Sequence, residues 1–129
     1  MSSRPRGVVV AHGPMAEAMV DAVRRIAGDA ADALVPLSNE GKGPSQLRAE
    51  LDAAMGDDPV IVFVDLKAGS CGMAALSSCR DRARRIVVTG VNLPMLLDFV
   101  FHRDVEIEEL VDRLVRCGRD SIAHPTLSA

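Results

Sequence analysis

The sequence predicts an α/β fold with a doubly wound, mainly parallel sheet of four strands and helices on both faces. Apolar runs rich in valine recur along the chain without alternating with polar residues, as strands covered on both faces require. Segments with helical spacing separate these runs, and strict alternation of this kind is typical of βαβ units. The length of 129 residues suits a single domain, which we take as residues 1–129.

Four segments are candidates for the strands. Residues 7–11 and 59–65 are the most continuous apolar runs, and residues 85–90 form a third. Residues 33–37 complete the set, although this run is the least regular. Each segment has the length of an ordinary strand and is followed by a turn signal or a helical pattern.

A helical pattern follows each strand, and a further helix follows the fourth. The first helix ends at Gly28, and the second opens with Pro44 in its first turn and ends at Gly56. The last one is amphipathic, and we expect Gly118 to end it. The predicted helices cover residues 15–27, 44–55, 70–82, 93–101 and 105–117.

Composition excludes several classes of protein. A net charge of -3 and an aromatic content of 2% disfavour nucleic acid as a partner. The cysteines, three in number and without a CxxC pair, predict neither disulfides nor a structural zinc site, so we expect no metal and no cofactor. No signal peptide is recognisable, and no apolar run approaches the ~20 residues that span a bilayer. We therefore expect a reduced, cytoplasmic protein that does not insert into the membrane.

Candidate functional residues follow the predicted strands. His12 and Gly13 come after the first, and Asp65 comes after the third. Since ligands bind beyond the carboxyl ends of parallel strands, these residues converge on one edge of the sheet. Asp65 can hold one nitrogen of the His12 imidazole, which makes a pair of nucleophile and orienting group. Alternatively, His12 is a strand-end histidine that bonds a backbone carbonyl.

Gly69 and Ser70 open the third predicted helix. Free backbone N–H groups at a helix start favour an anion such as phosphate. A glycine followed by a serine is equally typical of an ordinary N-cap, so both interpretations stand. The segment matches neither a P-loop nor a GxGxxG motif, and nucleotide binding therefore has no support.

These segments together resemble the enzyme IIA component, mannose family, of the bacterial phosphoenolpyruvate-dependent sugar phosphotransferase system. Gly-Val-Val-Val-Ala-His-Gly over residues 7–13 looks like the active-site strand and turn of that family. Phe-Val-Asp-Leu-Lys-Ala-Gly-Ser over residues 63–70 looks like its aspartate strand and glycine–serine loop. The most specific match is Gly-Val-Asn-Leu-Pro-Met-Leu over residues 90–96, and Gly-Arg at residues 118–119 resembles its C-terminal region.

The resemblance implies a phosphotransferase component with a phosphohistidine intermediate. His12 would carry the phosphoryl group on Nε2, Asp65 would bond its Nδ1, and Gly13, Gly69 and Ser70 would bind the phosphate. The donor would be the histidine-containing phosphocarrier protein and the acceptor an enzyme IIB, for uptake of a mannose-family sugar. The family fold implies strand order 2-1-3-4 and an additional antiparallel strand that is exchanged in a homodimer. We assign that strand to residues 120–124, which have no evident partner within one subunit.

Two departures and several alternatives accompany this resemblance. The family loop commonly reads Gly-Gly-Ser-Pro, whereas Ala68 and Cys71 flank the Gly–Ser pair in this chain. Alanine at this place predicts a strained backbone if a positive φ is required. The main alternative function is a regulatory phosphoprotein of a phosphotransferase system without its own sugar permease. A binding domain without turnover and the related phosphodonor of dihydroxyacetone kinase agree less well with the residues present.

Overall fold

The chain folds into a four-stranded parallel sheet of order β2-β1-β3-β4, which confirms the predicted fold class and strand order. The computed structural model describes residues 4–127. The strands are β1 (Arg6–Ala11), β2 (Leu34–Ser38), β3 (Val60–Val64) and β4 (Arg85–Thr89). The helices are α1 (Met15–Ala27), α2 (Pro44–Met55), α3 (Ser70–Cys79), α4 (Leu93–Phe101) and α5 (Ile107–Asp120), with a 3-10 helix over Gly28–Ala33 between α1 and β2.

The sheet separates two apolar layers. Because successive strand residues point to opposite faces, Val9 and Phe63 pack with α1, α4 and α5, whereas Val8, Val10 and Val62 pack with α2 and α3. All of these side chains are buried, which is why β1 and β3 are apolar at successive positions. Helices on both faces leave the ends of the strands as the place where polar side chains can gather.

The predicted helix boundaries are confirmed for α1, α2 and α4 and are wrong for the other two helices. α3 ends at Cys79, before the predicted end at residue 82. The chain then turns through Asp81, whose φ is +59°, while Arg82 and Arg85 both bond Asp58 at the start of β3. This arrangement lets β4 pair with β3. Within residues 4–127, none of the helices has the length and apolar character needed to cross a membrane.

α5 runs through Gly118 to Asp120, so the prediction that Gly118 ends this helix is wrong. Gly118 faces α4, where a Cβ would lie 2.7 Å from Cε of Met95. Its carbonyl accepts a hydrogen bond of 3.0 Å from Nδ2 of Asn92. The glycine therefore allows two helices to approach closely and does not terminate one of them.

The predicted exchanged strand, residues 120–124, starts too early, because Asp120 is the last residue of α5 and only the following residues are available for a strand. Residues 122–127 form no helix or strand in the single chain, and Ile122 is exposed. β4 lies at the edge of the sheet and pairs only with β3 among the strands of residues 4–127. Strand exchange between two subunits thus remains a prediction, with a free sheet edge available for it.

Candidate active site

The adjacent strands β1 and β3 bring His12 and Asp65 together at their carboxyl ends. Asp65 Oδ2 accepts a hydrogen bond of 3.0 Å from the backbone N–H of His12. The same oxygen lies 2.9 Å from Nδ1 of the His12 ring. The carboxylate thereby holds both the backbone and the imidazole of the residue that follows β1.

This contact determines which ring nitrogen is available for chemistry. An ionised carboxylate only accepts hydrogen bonds, so Nδ1 of His12 carries the proton and Nε2 has the free lone pair. The His12 side chain is 44% exposed, whereas that of Asp65 is only 9% exposed. A nearly buried carboxylate thus orients a histidine that solvent or a partner can reach.

Gly69 lies beside the free nitrogen. A Cβ built on Gly69 would lie 3.5 Å from Nε2 of His12, and its φ of +103° also disfavours any other residue. Gly72 permits the same close packing one turn later, because a Cβ there would overlap the carbonyl oxygen of Lys67. The loop before α3 therefore folds tightly, and the start of this helix lies next to Nε2.

Ser70 is the first residue of α3, and its side chain does not cap the helix. Its Oγ instead accepts a hydrogen bond of 3.1 Å from Nδ2 of Asn39. The N-cap residue is Gly69, so the N-cap interpretation of the Gly–Ser pair holds for the glycine, whereas Ser70 makes no capping bond. The first backbone N–H groups of a helix attract anions, and Ser70 adds a hydroxyl at this point.

Asn39, which was not among the predicted site residues, connects three segments of the site. Its Oδ1 accepts from the backbone N–H of Gly13 at 3.2 Å, and its own backbone N–H donates to Ala11. The neighbouring Ser38 donates to the carbonyl of Gly13 at 2.7 Å. The backbone N–H of Gly13 is thus occupied within the protein. Asn39 follows β2, so the rule that ligands bind beyond parallel strands could have found it.

Residues 90–96, which are the most specific match of the resemblance, have a structural role. Asn92 caps α4 by accepting a hydrogen bond of 3.2 Å from the backbone N–H of Met95. The backbone N–H of Val91 donates to Val64 at the end of β3. Residues 90–96 therefore fix α4 and α5 against the sheet, at the same edge as His12.

Comparison with known proteins agrees with this geometry. The family model EIIA-man, described as the fructose IIA component of the phosphotransferase system, matches residues 7–115. The chain belongs to this mannose-type enzyme IIA family. The matched range contains His12, Asp65, Asn39 and the loop before α3.

Individual relatives of the family extend the match. The sorbose-specific EIIA component of Klebsiella pneumoniae is 32% identical over 96 residues, which are 72% of this chain and 70% of that protein. The mannose/sorbose-specific IIA subunit from Enterococcus faecalis has a TM-score of 0.87, with 28% identity and 98% of each chain covered. A phosphotransferase EIIA component from Streptococcus agalactiae has a TM-score of 0.86 at 22% identity, covering 93% of this chain and 96% of its own, and supports the fold alone.

One of the two departures from the usual family loop has no structural cost. Among residues 4–127, Asp81 is the only residue other than glycine with a positive φ, so Ala68 is not strained in the way the sequence predicted. The other departure, Cys71, lies in the second position of α3 and is fully buried. The enzyme IIA loop thus tolerates alanine, and it places a thiol beneath the site.

Proposed function

We propose that the chain is a cytoplasmic phosphocarrier of the phosphotransferase system, which takes part in uptake of a mannose-family sugar. It accepts a phosphoryl group on Nε2 of His12 from the histidine-containing phosphocarrier protein and passes it to an enzyme IIB. The observation that carries this proposal is the 2.9 Å contact between Asp65 and Nδ1 of His12, which leaves Nε2 free beside Gly69. Membership of the mannose-type IIA family supports the class of reaction.

The transfer is a displacement at phosphorus. The lone pair of His12 Nε2 forms a bond to the phosphorus of the donor's phosphohistidine, and the donor's P–N bond breaks with its electron pair returning to the donor ring. Nδ1 keeps its proton, so positive charge develops on the His12 ring. The Asp65 carboxylate stabilises this charge, because it is nearly buried and therefore poorly screened by water.

The loop before α3 supports the transferred group. Ser70 Oγ accepts from Asn39, so its own O–H remains available to donate to a phosphoryl oxygen. The start of α3 adds the favourable end of a helix dipole. Gly13 contributes through the turn that Asn39 holds and does not donate its own N–H to the phosphate. These groups keep the phosphorus in line with Nε2.

The surface around His12 suits protein donors and acceptors. Met15, Leu66 and Met73 are 41%, 54% and 71% exposed. Met15 begins α1 after the His12 turn, and a Cβ on Gly69 would lie 4.0 Å from Cδ2 of Leu66. The backbone N–H of Met73 donates to the carbonyl of Gly69. Exposed apolar side chains around a polar centre are typical of surfaces that another protein covers.

The proposal predicts that His12 alone carries the phosphoryl group. Incubation with phosphoenolpyruvate, enzyme I and the phosphocarrier protein should label the chain, and the label should be acid-labile and base-stable. His12→Ala should abolish labelling, whereas the matched variants His102→Ala and His124→Ala should label normally. Label that persists in His12→Ala would disprove the assignment, and addition of an enzyme IIB should remove the label from the unaltered protein.

A further inference from the structure

His12, Asp65 and Cys71 form a cluster of metal-ligating groups that the proposed phosphoryl transfer does not fully use. One ligand atom from each of these residues lies within 4.8 Å of the other two. His12 is open to solvent, Asp65 is nearly buried, and Cys71 is completely buried below them. The expectation of no metal came from three cysteines without a CxxC pair, whereas the fold brings His12 to Asp65 and Cys71.

A second observation is that one carboxylate oxygen of the cluster lacks a hydrogen-bond partner. Oδ1 of Asp65 is buried and has no hydrogen-bond partner in the described part of the chain, while Oδ2 accepts both bonds from His12. A buried carboxylate oxygen without a donor costs free energy, and a coordinated cation is one of the usual remedies. The unpartnered oxygen belongs to the same carboxylate that joins the cluster.

The set of donor atoms selects the type of cation. An imidazole nitrogen, a carboxylate oxygen and a thiolate sulfur suit Zn²⁺ or Co²⁺, whereas Mg²⁺ and Ca²⁺ prefer oxygen ligands alone. Zinc bond lengths imply that neighbouring ligand atoms in a tetrahedral site lie roughly 3.3–3.8 Å apart. A pair of the cluster 4.8 Å apart therefore needs to close by about 1.0–1.5 Å, and water from the exposed side of His12 can fill the fourth position.

We propose that His12, Asp65 and Cys71 form an inhibitory site for a thiophilic divalent cation such as Zn²⁺. Burial and the charge of Asp65 raise the pKa of the Cys71 thiol, so the metal-free thiol keeps its proton and binding of zinc releases it to solvent. Asp65 faces Nδ1 of His12, so the cation takes this nitrogen and the remaining ring proton moves to Nε2. The ring then has no free lone pair at Nε2 and cannot accept a phosphoryl group.

Metal binding is tested without any phosphoryl transfer, by titrating the protein with Co²⁺ and recording absorption spectra. The unaltered chain should show a sulfur-to-cobalt charge-transfer band together with the visible bands of tetrahedral Co²⁺, and Zn²⁺ should displace both. Cys71→Ser should lose the charge-transfer band and weaken binding by roughly tenfold or more, as loss of a direct ligand implies. The matched variant Cys79→Ala/Cys117→Ala retains Cys71 and should give the unaltered spectrum.

Two spectroscopic results would overturn the site. One is the absence of a charge-transfer band in the unaltered chain at saturating Co²⁺. The other is a band that survives in Cys71→Ser and disappears in Cys79→Ala/Cys117→Ala, which would assign the metal to another thiol. Thermal unfolding followed by circular dichroism should show that both variants are folded, so that a lost band reports a lost ligand.

The inhibitory consequence rests on the proposed function and is measured separately. The rate of phosphorylation by a pre-phosphorylated donor is recorded with and without Zn²⁺, and each variant is compared with its own metal-free rate. Zinc should slow the unaltered chain and Cys79→Ala/Cys117→Ala, whereas Cys71→Ser should be at least about tenfold less sensitive. Equal sensitivity of Cys71→Ser would refute inhibition through this site. A chain that binds Co²⁺ but is never phosphorylated would refute the proposed function and leave the metal site intact.

Discussion

At the scale of single residues, one carboxylate determines the chemistry of His12. Asp65 bonds the backbone N–H and ring Nδ1 of His12 through the same oxygen, at 3.0 and 2.9 Å. The first bond holds the turn after β1, and the second selects the tautomer. Side chains that follow two adjacent strands therefore act as one unit.

Asp65→Asn should slow phosphorylation of His12 by about 10²–10⁴-fold while the protein stays folded. The asparagine oxygen can still accept from the backbone of His12, but the negative charge is lost. The amide can also donate to Nδ1, which places the ring proton on Nε2 and removes the attacking lone pair. Initial rates of labelling measure the first effect, and nitrogen NMR of the ring measures the tautomer.

The chain contains a matched control for this substitution. Asp98 lies 2.9 Å from Nδ1 of His102, a pair that is not at the candidate active site. Asp98→Asn should leave the labelling rate unchanged, although it removes a similar contact. A near-normal rate for Asp65→Asn, with the ring proton still on Nδ1, would mean that Asp65 only holds the turn.

At the scale of elements, the side chain of Asn92 connects α4 and α5. Asn92 accepts from Met95 at the start of α4 and donates to the carbonyl of Gly118 in α5. One side chain thus satisfies a group at the start of α4 and connects two helices. The same amide satisfies one of the last carbonyls of α5, which ends at Asp120.

Asn92→Ala should lower the free energy of unfolding by about 1–3 kcal/mol, the sum of a lost N-cap and a lost interhelical hydrogen bond. Urea unfolding gives this value, with the slope of the transition as a check on two-state behaviour. Asn92→Asp keeps the acceptor for Met95 and loses the donor to Gly118. The stability of this variant should therefore lie between those of the unaltered chain and Asn92→Ala. Identical unfolding midpoints for all three proteins would show that the cap contributes nothing.

At the scale of the whole molecule, β4 is one of the two edge strands of the sheet, and its outer edge is unpaired within residues 4–127. A groove of about 310 Å³ lies along this edge and is lined by residues of β4, α4 and α5 together with Ile122. Exposed strand edges invite pairing with another chain. The chain after α5 begins at this groove, and its residues 122–127 form no helix or strand of their own.

We predict a homodimer in which the residues that follow Asp120 of each subunit add an antiparallel strand to the other subunit. Light scattering at micromolar concentration should give about twice the chain mass of 13.7 kDa. A chain that ends at Ser121 should scatter as a monomer and should still become labelled at His12, because Asp65 and Asn39 come from the same subunit. A monomeric mass for the unaltered chain would disprove the dimer without affecting the active site.

The sequence by itself determined the order and type of the elements and three of the helix ranges. These depend on local physics, namely the period of apolar residues, Pro44 in a first turn, and glycines after helices. The pairing of His12 with Asp65 was also predictable, because both follow buried strands and parallel strands end at one edge. Gly118 shows the limit of such rules, since a helix ends at a glycine only when no neighbouring helix needs that close approach.

Only the tertiary structure decided which other residues share the site. Asn39 lies in a polar loop with no distinctive pattern, and it reaches Gly13 and Ser70 because β2 is the neighbour of β1 in the sheet. Cys71 approaches Asp65 because α3 packs on β3 with its first turn under the active-site loop. Such contacts depend on strand order and helix packing between distant parts of the chain, whereas local periodicity describes only how each element forms.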